Sequence, residues 1–159
     1  MMSNYDYIEM KVPAKPEYVG VVRLTLSGVA NRMGFSYESI EDLKVAVSEA
    51  ITNAVNHAYN DNESGEITIG FGIYEDHIEI MIADRGESFD LEKIKKETGP
   101  YHPEEPVEKL REGGFGLFLI EALMDDVKIN NQYGVMIMMT KYITEEEVDV
   151  DDDQISTTQ

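Results

Sequence analysis

The chain has 159 residues, no cysteine and a formal net charge of −19. That length can bury a real core without staples, the missing cysteine excludes disulfides and thiolate metal sites, and a field of that sign disfavours direct contact with nucleic acid or an anionic membrane. No run of about 18 apolar residues could span a bilayer, and the first residues lack the charged and apolar regions of an export signal, so a soluble cytoplasmic protein is expected. Between positions 144 and 159, Glu145, Glu146, Glu147, Asp149, Asp151, Asp152 and Asp153 occur with no Lys or Arg. That pattern predicts an acidic, disordered tail after a single domain spanning 1–143.

In chain order, Ile8, Met10 and Val12 alternate with Glu9 and Lys11, which predicts a half-exposed strand ended by Pro13 and Pro16. Val19, Val22, Leu26, Val29, Ala30 and Met33 recur at helical spacing, and Gly34 supplies the stop. A second helix opens at Ser36 or Ser39, with Ser39 and Asp42 fitting a capping pattern, and its apolar face is Leu43, Val47, Ala50, Ala54 and Ala58. After the turn cluster Asp61 to Gly65, Ile67, Ile69, Phe71 and Ile73 alternate, and Ile78, Ile80 and Ile82 alternate again. These two runs predict a hairpin. Residues 87–112 lose periodicity and contain three prolines, the mark of a functional lid more often than of filler. A third helix through Leu117, Ile120, Leu123 and Met124 and two more strands, 127–131 and 135–142, follow. Elements that occur in blocks predict an α+β two-layer sandwich, a mixed but mostly antiparallel sheet with helices on one face.

Three clusters carry chemistry. Glu49 and Asn53, four apart, stand on one helix face; alone they read equally as an ordinary solvated pair or as a site. Asp84-Arg85-Gly86 closes a strand where the chain enters the lid, a common turn when alone. Gly113-Gly114-Phe115-Gly116 runs directly into a helix, and a helix start with close backbone approach suits phosphate. It is not a P-loop, because no Gly-Lys-Ser/Thr follows.

In that order and spacing, the clusters resemble the ATP-binding fold shared by gyrase, heat-shock chaperone, histidine-kinase and mismatch-repair ATPases, over residues 5–143. The runs Asp6 to Met10, Leu24 to Val29, Val47 to Ala50 and Met138 to Tyr142 are similar to the anti-sigma-factor serine kinases of Bacillus-like bacteria. The resemblance implies ATP and Mg²⁺ as cofactors, with Asn53 as metal ligand and Glu49 as the base that takes a proton from a partner's serine. It implies Asp84 on the adenine amino group, Gly86 beneath the ring, Thr140 sharing a water with Asp84, and Gly113, Gly114 and Gly116 around the phosphates. It further implies a homodimer that sequesters a general stress sigma factor and phosphorylates an anti-anti-sigma protein. The alternatives are an ATP-gated protein-binding module without kinase turnover and a plain ATPase. Arg23 on the first helix is a candidate partner contact, and His57 reads as a capping or core histidine. One departure is Asn56, where histidine-kinase relatives often carry a basic residue.

Overall fold

The computed structural model describes residues 4–61, 65–84, 116–130 and 136–144. Strand β1 (Asp6–Pro13) passes through a short 3-10 turn (Pro16–Tyr18) into α1 (Val19–Met33), and α2 (Tyr37–Asp61) follows directly. Then come β2 (Glu66–Ile73), β3 (His77–Ala83), α3 (Gly116–Leu123), β4 (Asp126–Asn130) and β5 (Met136–Tyr142).

The α1–α2 corner is built by two local devices. Gly34 adopts φ 96°, a left-handed conformation that suits a residue without Cβ. Its N–H reaches Asn31 O at 3.2 Å while the Phe35 N–H reaches Ala30 O at 3.2 Å, and this paired closure satisfies carbonyls the helix end would leave open. The next helix is capped by Ser36, whose Oγ accepts from the Ser39 N–H at 3.2 Å. Of the two serines expected at this start, Ser36 is therefore the cap. Ser39 lies inside the first turn and is buried. At about 1.5 Å per residue, the 25 residues of α2 span about 37 Å.

The sheet order is β1-β2-β3-β5-β4. Each neighbouring pair is antiparallel, so among the described residues the expected mixed sheet is wholly antiparallel. The β2–β3 hairpin matches Ile69 with Ile82 and Phe71 with Ile80, and Tyr74 N–H closes the turn on His77 O at 3.0 Å. One face carries Val12, Ile67, Ile69, Phe71, Ile78, Ile80, Ile82, Ile137 and Met139, all in one core with Val22 and Leu26 of α1, Leu43 and Val47 of α2, and Leu117 and Ile120 of α3. Full burial of a side chain such as Leu26 contributes about 1.5–3 kcal/mol, and among the described residues the three helices all pack on this face. The other face forms a smaller cluster of Met81, Ala83, Met136 and Met138, with Tyr5 packed against it.

Candidate nucleotide site

On α2, Ala50, Ile51, Ala54 and Val55 are sunk in the core, and Glu49 and Asn53 occupy the margin of that stripe. Glu49 is half-buried. Asn53 is only 8% exposed, yet its Nδ2 has no hydrogen-bond partner. A buried amide without a partner costs stability unless a ligand answers it. The neighbouring hydroxyls do not compete for such a ligand. Ser48 Oγ donates to Lys44 O at 2.7 Å, and Thr52 Oγ1 donates to Ser48 O at 2.8 Å, so both are turned back onto the helix itself.

Asp84 follows β3 at one end of the sheet. Its neighbour Ala83 pairs with Thr68 near the start of β2 and with Met136 at the start of β5, so α2, which runs into β2 through residues 62–64, delivers its C-terminal end to the same edge. Helix α3 is tied at the opposite edge. The Asp125 N–H donates to Thr140 O at 2.9 Å, and Lys141 Nζ donates to Leu123 O at 2.8 Å. With its C-terminal end held there and its Leu117 and Ile120 in the α2 core, α3 has Gly116 as the end turned away from that edge. The first amides of a helix lack internal partners and carry the positive end of its dipole.

Of the expected site residues, Glu49 and Asn53 share one helix face, Asp84 stands at the edge α2 approaches, and Gly116 opens α3. Thr140 does not join them. It pairs with Glu79, four positions along the ladder from the Ala83–Met136 pair, about 13 Å at about 3.3 Å per residue. Its alternation with Met136 and Met138 also places it on the sheet face away from α2. The resemblance placed Thr140 beside Asp84, and the β3–β5 register overturns that placement. Gly86, Gly113, Gly114 and the lid at 87–112 lie outside the described residues, as does the His57 side chain.

The far end of the sheet has its own polar cluster. Tyr5 stacks on Tyr74, Tyr74 on His77 at 4.1 Å between ring centres, and Tyr142 leans on His77 at 5.0 Å. His77 Nδ1 lies 2.6 Å from Asp76 Oδ1, and Nε2 lies 3.4 Å from Glu79 Oε1. The hydrogen bond from His77 holds the Asp76 carboxyl below the usual carboxylate range. Burial, and then the hydrogen bond to Glu9, pushes the Tyr7 phenol well above its ordinary value. Sequence reading missed this cluster because Tyr5, Tyr74 and Tyr142 are far apart in the chain.

A long helix whose half-buried carboxylate and orphaned amide sit one turn apart packs beside a Gly-led helix on an antiparallel sheet, an α+β domain with a candidate nucleotide site. Residues 12–141 match the histidine kinase-like ATPase domain family. The chain is 96% identical to the serine-protein kinase RsbW of Oceanobacillus iheyensis over 158 residues, covering 99% of this chain and 100% of that protein. It is 58% identical to that of Bacillus subtilis over 151 residues, 95% of this chain and 94% of the relative. With the kinase of this name from Bacillus cereus it shares 56% over 157 residues, 99% and 98% of the two. The chain belongs to the RsbW serine-protein kinases, ATP-dependent enzymes built on a histidine kinase-like ATPase domain.

Proposed function

We propose that this serine kinase is an anti-sigma factor: it sequesters a general stress sigma factor and phosphorylates a serine of its anti-anti-sigma antagonist. Phosphorylation inactivates the antagonist and leaves the kinase free to hold the sigma subunit. Residues 1–143 form the ATP-binding kinase domain, which works in the cytoplasm as a homodimer, and residues 144–159 form the acidic tail. The observation that carries this reading is the α2 pair, a half-buried Glu49 one turn before an Asn53 amide that lacks a partner.

Asn53 fits a hard cation held jointly with phosphate oxygens. Amide oxygen and nitrogen are interchangeable by rotation about the terminal bond, so Oδ1 can turn to the position where Nδ2 is unanswered. Mg²⁺ keeps several waters and takes phosphate oxygens, so one protein ligand suffices for it. When bound, Mg²⁺ neutralises charge that develops on the transferred phosphoryl group. Glu49 accepts the proton of the attacking serine hydroxyl, and its half-burial keeps that carboxylate positioned while still reachable. Asp84 accepts from the adenine amino group. The N-terminal amides of α3, beginning at Gly116, receive phosphate oxygens, with Gly113 and Gly114 leading into them and Gly86 beside the base.

The test is incubation with ATP, Mg²⁺ and the antagonist. Wild type forms phosphoserine, and Glu49→Gln loses at least about 10²-fold in rate while binding ATP as before. If the antagonist stays unmodified while the complex still depends on ATP, the protein is a nucleotide-gated binding module. Phosphate release without any protein partner identifies an ATPase.

A further inference from the structure

Helix α3 has eight residues, about two turns, and helices that short do not hold themselves in water. Its direction is set by what grips it. Two grips were noted above, and a third closes the same junction: Asp125 Oδ2 accepts from the Tyr142 N–H at 2.7 Å, just past the last bond of the helix itself, from the Met124 N–H to Ile120 O at 3.0 Å. The β5 strand thus clasps the segment that follows α3 through backbone groups on both sides of Lys141.

Lys141 is the charged member of this clasp. It pairs with Ile78 in the β3–β5 register and alternates with Ile137 and Met139, which lie in the helix-side core. Its stem therefore leaves the sheet toward the helices, and its ammonium emerges half-buried at the carbonyl of Leu123, the last residue of α3. A cation at that position opposes the partial negative charge of the helix C-terminus and fills a carbonyl that has no partner within the helix. A lysine stem can cross apolar surface while its head makes such a contact.

We propose that Lys141 is a positioning residue for ATP: by clamping the C-terminal end of α3 to β5, it holds the N-terminal amides at Gly116 on line with the phosphates. This rests on the phosphate role given to α3 above. The residue touches neither ATP nor the serine, so its loss shows in nucleotide affinity more than in turnover. Lys141→Met is expected to raise KM for ATP and the Kd for a fluorescent ATP analogue by about 5–20-fold, since only part of what a hydrogen bond from a charged donor contributes is passed along α3 to its N-terminal end, with kcat within about twofold. Lys141→Arg, which keeps both charge and donor, is expected to recover most of the affinity. Should Lys141→Met not fold, Lys141→Gln retains a donor without the charge and is measured in the same way.

Unchanged Kd in the uncharged variants overturns the proposal, as does a parallel fall of kcat and affinity that Lys141→Arg does not rescue. Asn53→Ala, measured alongside, separates the two readings. If it weakens analogue binding while the Lys141 variants do not, the clamp is wrong and the site stands. If neither weakens binding, the site itself is wrong.

Discussion

Replacing Asn53 with leucine should make the nucleotide-free protein more stable while abolishing its activity. The side chains have nearly the same shape, and the position is already 92% buried against the core side of α2, given its 8% exposure. An unanswered buried amide costs about 1–3 kcal/mol, and Nδ2 of Asn53 is such a group. Removing it should return about 1–2 kcal/mol. For a chain of this length each kcal/mol moves the midpoint by about 2–4 °C, so Tm should rise by roughly 2–8 °C. Differential calorimetry is the suitable assay, since the chain has no tryptophan. ATP and Mg²⁺ should reverse the ranking: at about 100 times Kd a ligand adds about 2.7 kcal/mol to the protein that binds it, and the leucine variant should gain almost none. A variant less stable than wild type without nucleotide would refute the reasoning, because it would mean that the Asn53 amide is satisfied within the fold.

At the α1–α2 corner, Gly34→Ala forces a Cβ into a backbone at φ 96° where no atom lies within 4 Å of it. The cost is then purely conformational, about 1–2 kcal/mol, read as a lower urea midpoint at unchanged slope, with Gly34→Asn losing less. At the far end of the sheet, the hydrogen bond from His77 should make the Asp76 carboxyl titrate below the ordinary aspartate range by NMR, and that range should return in His77→Gln. Because the folded pKa is depressed, this group's contribution to stability is present above the unfolded pKa and is lost as pH falls through the folded one.

Much of the architecture was legible because binary patterns match the two periods closely. The Ile67 to Ile73 and Ile78 to Ile82 alternations became the β2–β3 hairpin, and Val22, Leu26 and Ala30 became the buried stripe of α1. Gly34 stopped its helix as expected because few other residues accept that φ. What pattern could not reveal was register across distant segments. Thr140 looked suited to the site by likeness of its strand, but only the pairing with Glu79 shows that it stands on the other face. Lys141 was invisible for a related reason, since one cation among alternating apolar residues looks like a strand end reaching solvent. Its acceptor, the Leu123 carbonyl, is a backbone group that no side-chain pattern announces.

The strand order has a kinetic consequence. Met10 meets Ile69, and Glu79 meets Thr140, so two of the four ladders join positions about sixty residues apart. Such distant closures must lose chain entropy before they return contact energy, and they slow folding. The β2–β3 hairpin is the local unit that can form early, and β1 and β5 must then find its two sides independently. α3 is held by β5, so the phosphate end of the site should be among the last parts to assemble on the growing or refolding chain. A hydrogen-exchange pulse during refolding would see protection appear in β2 and β3 first and at the α3–β4 junction last.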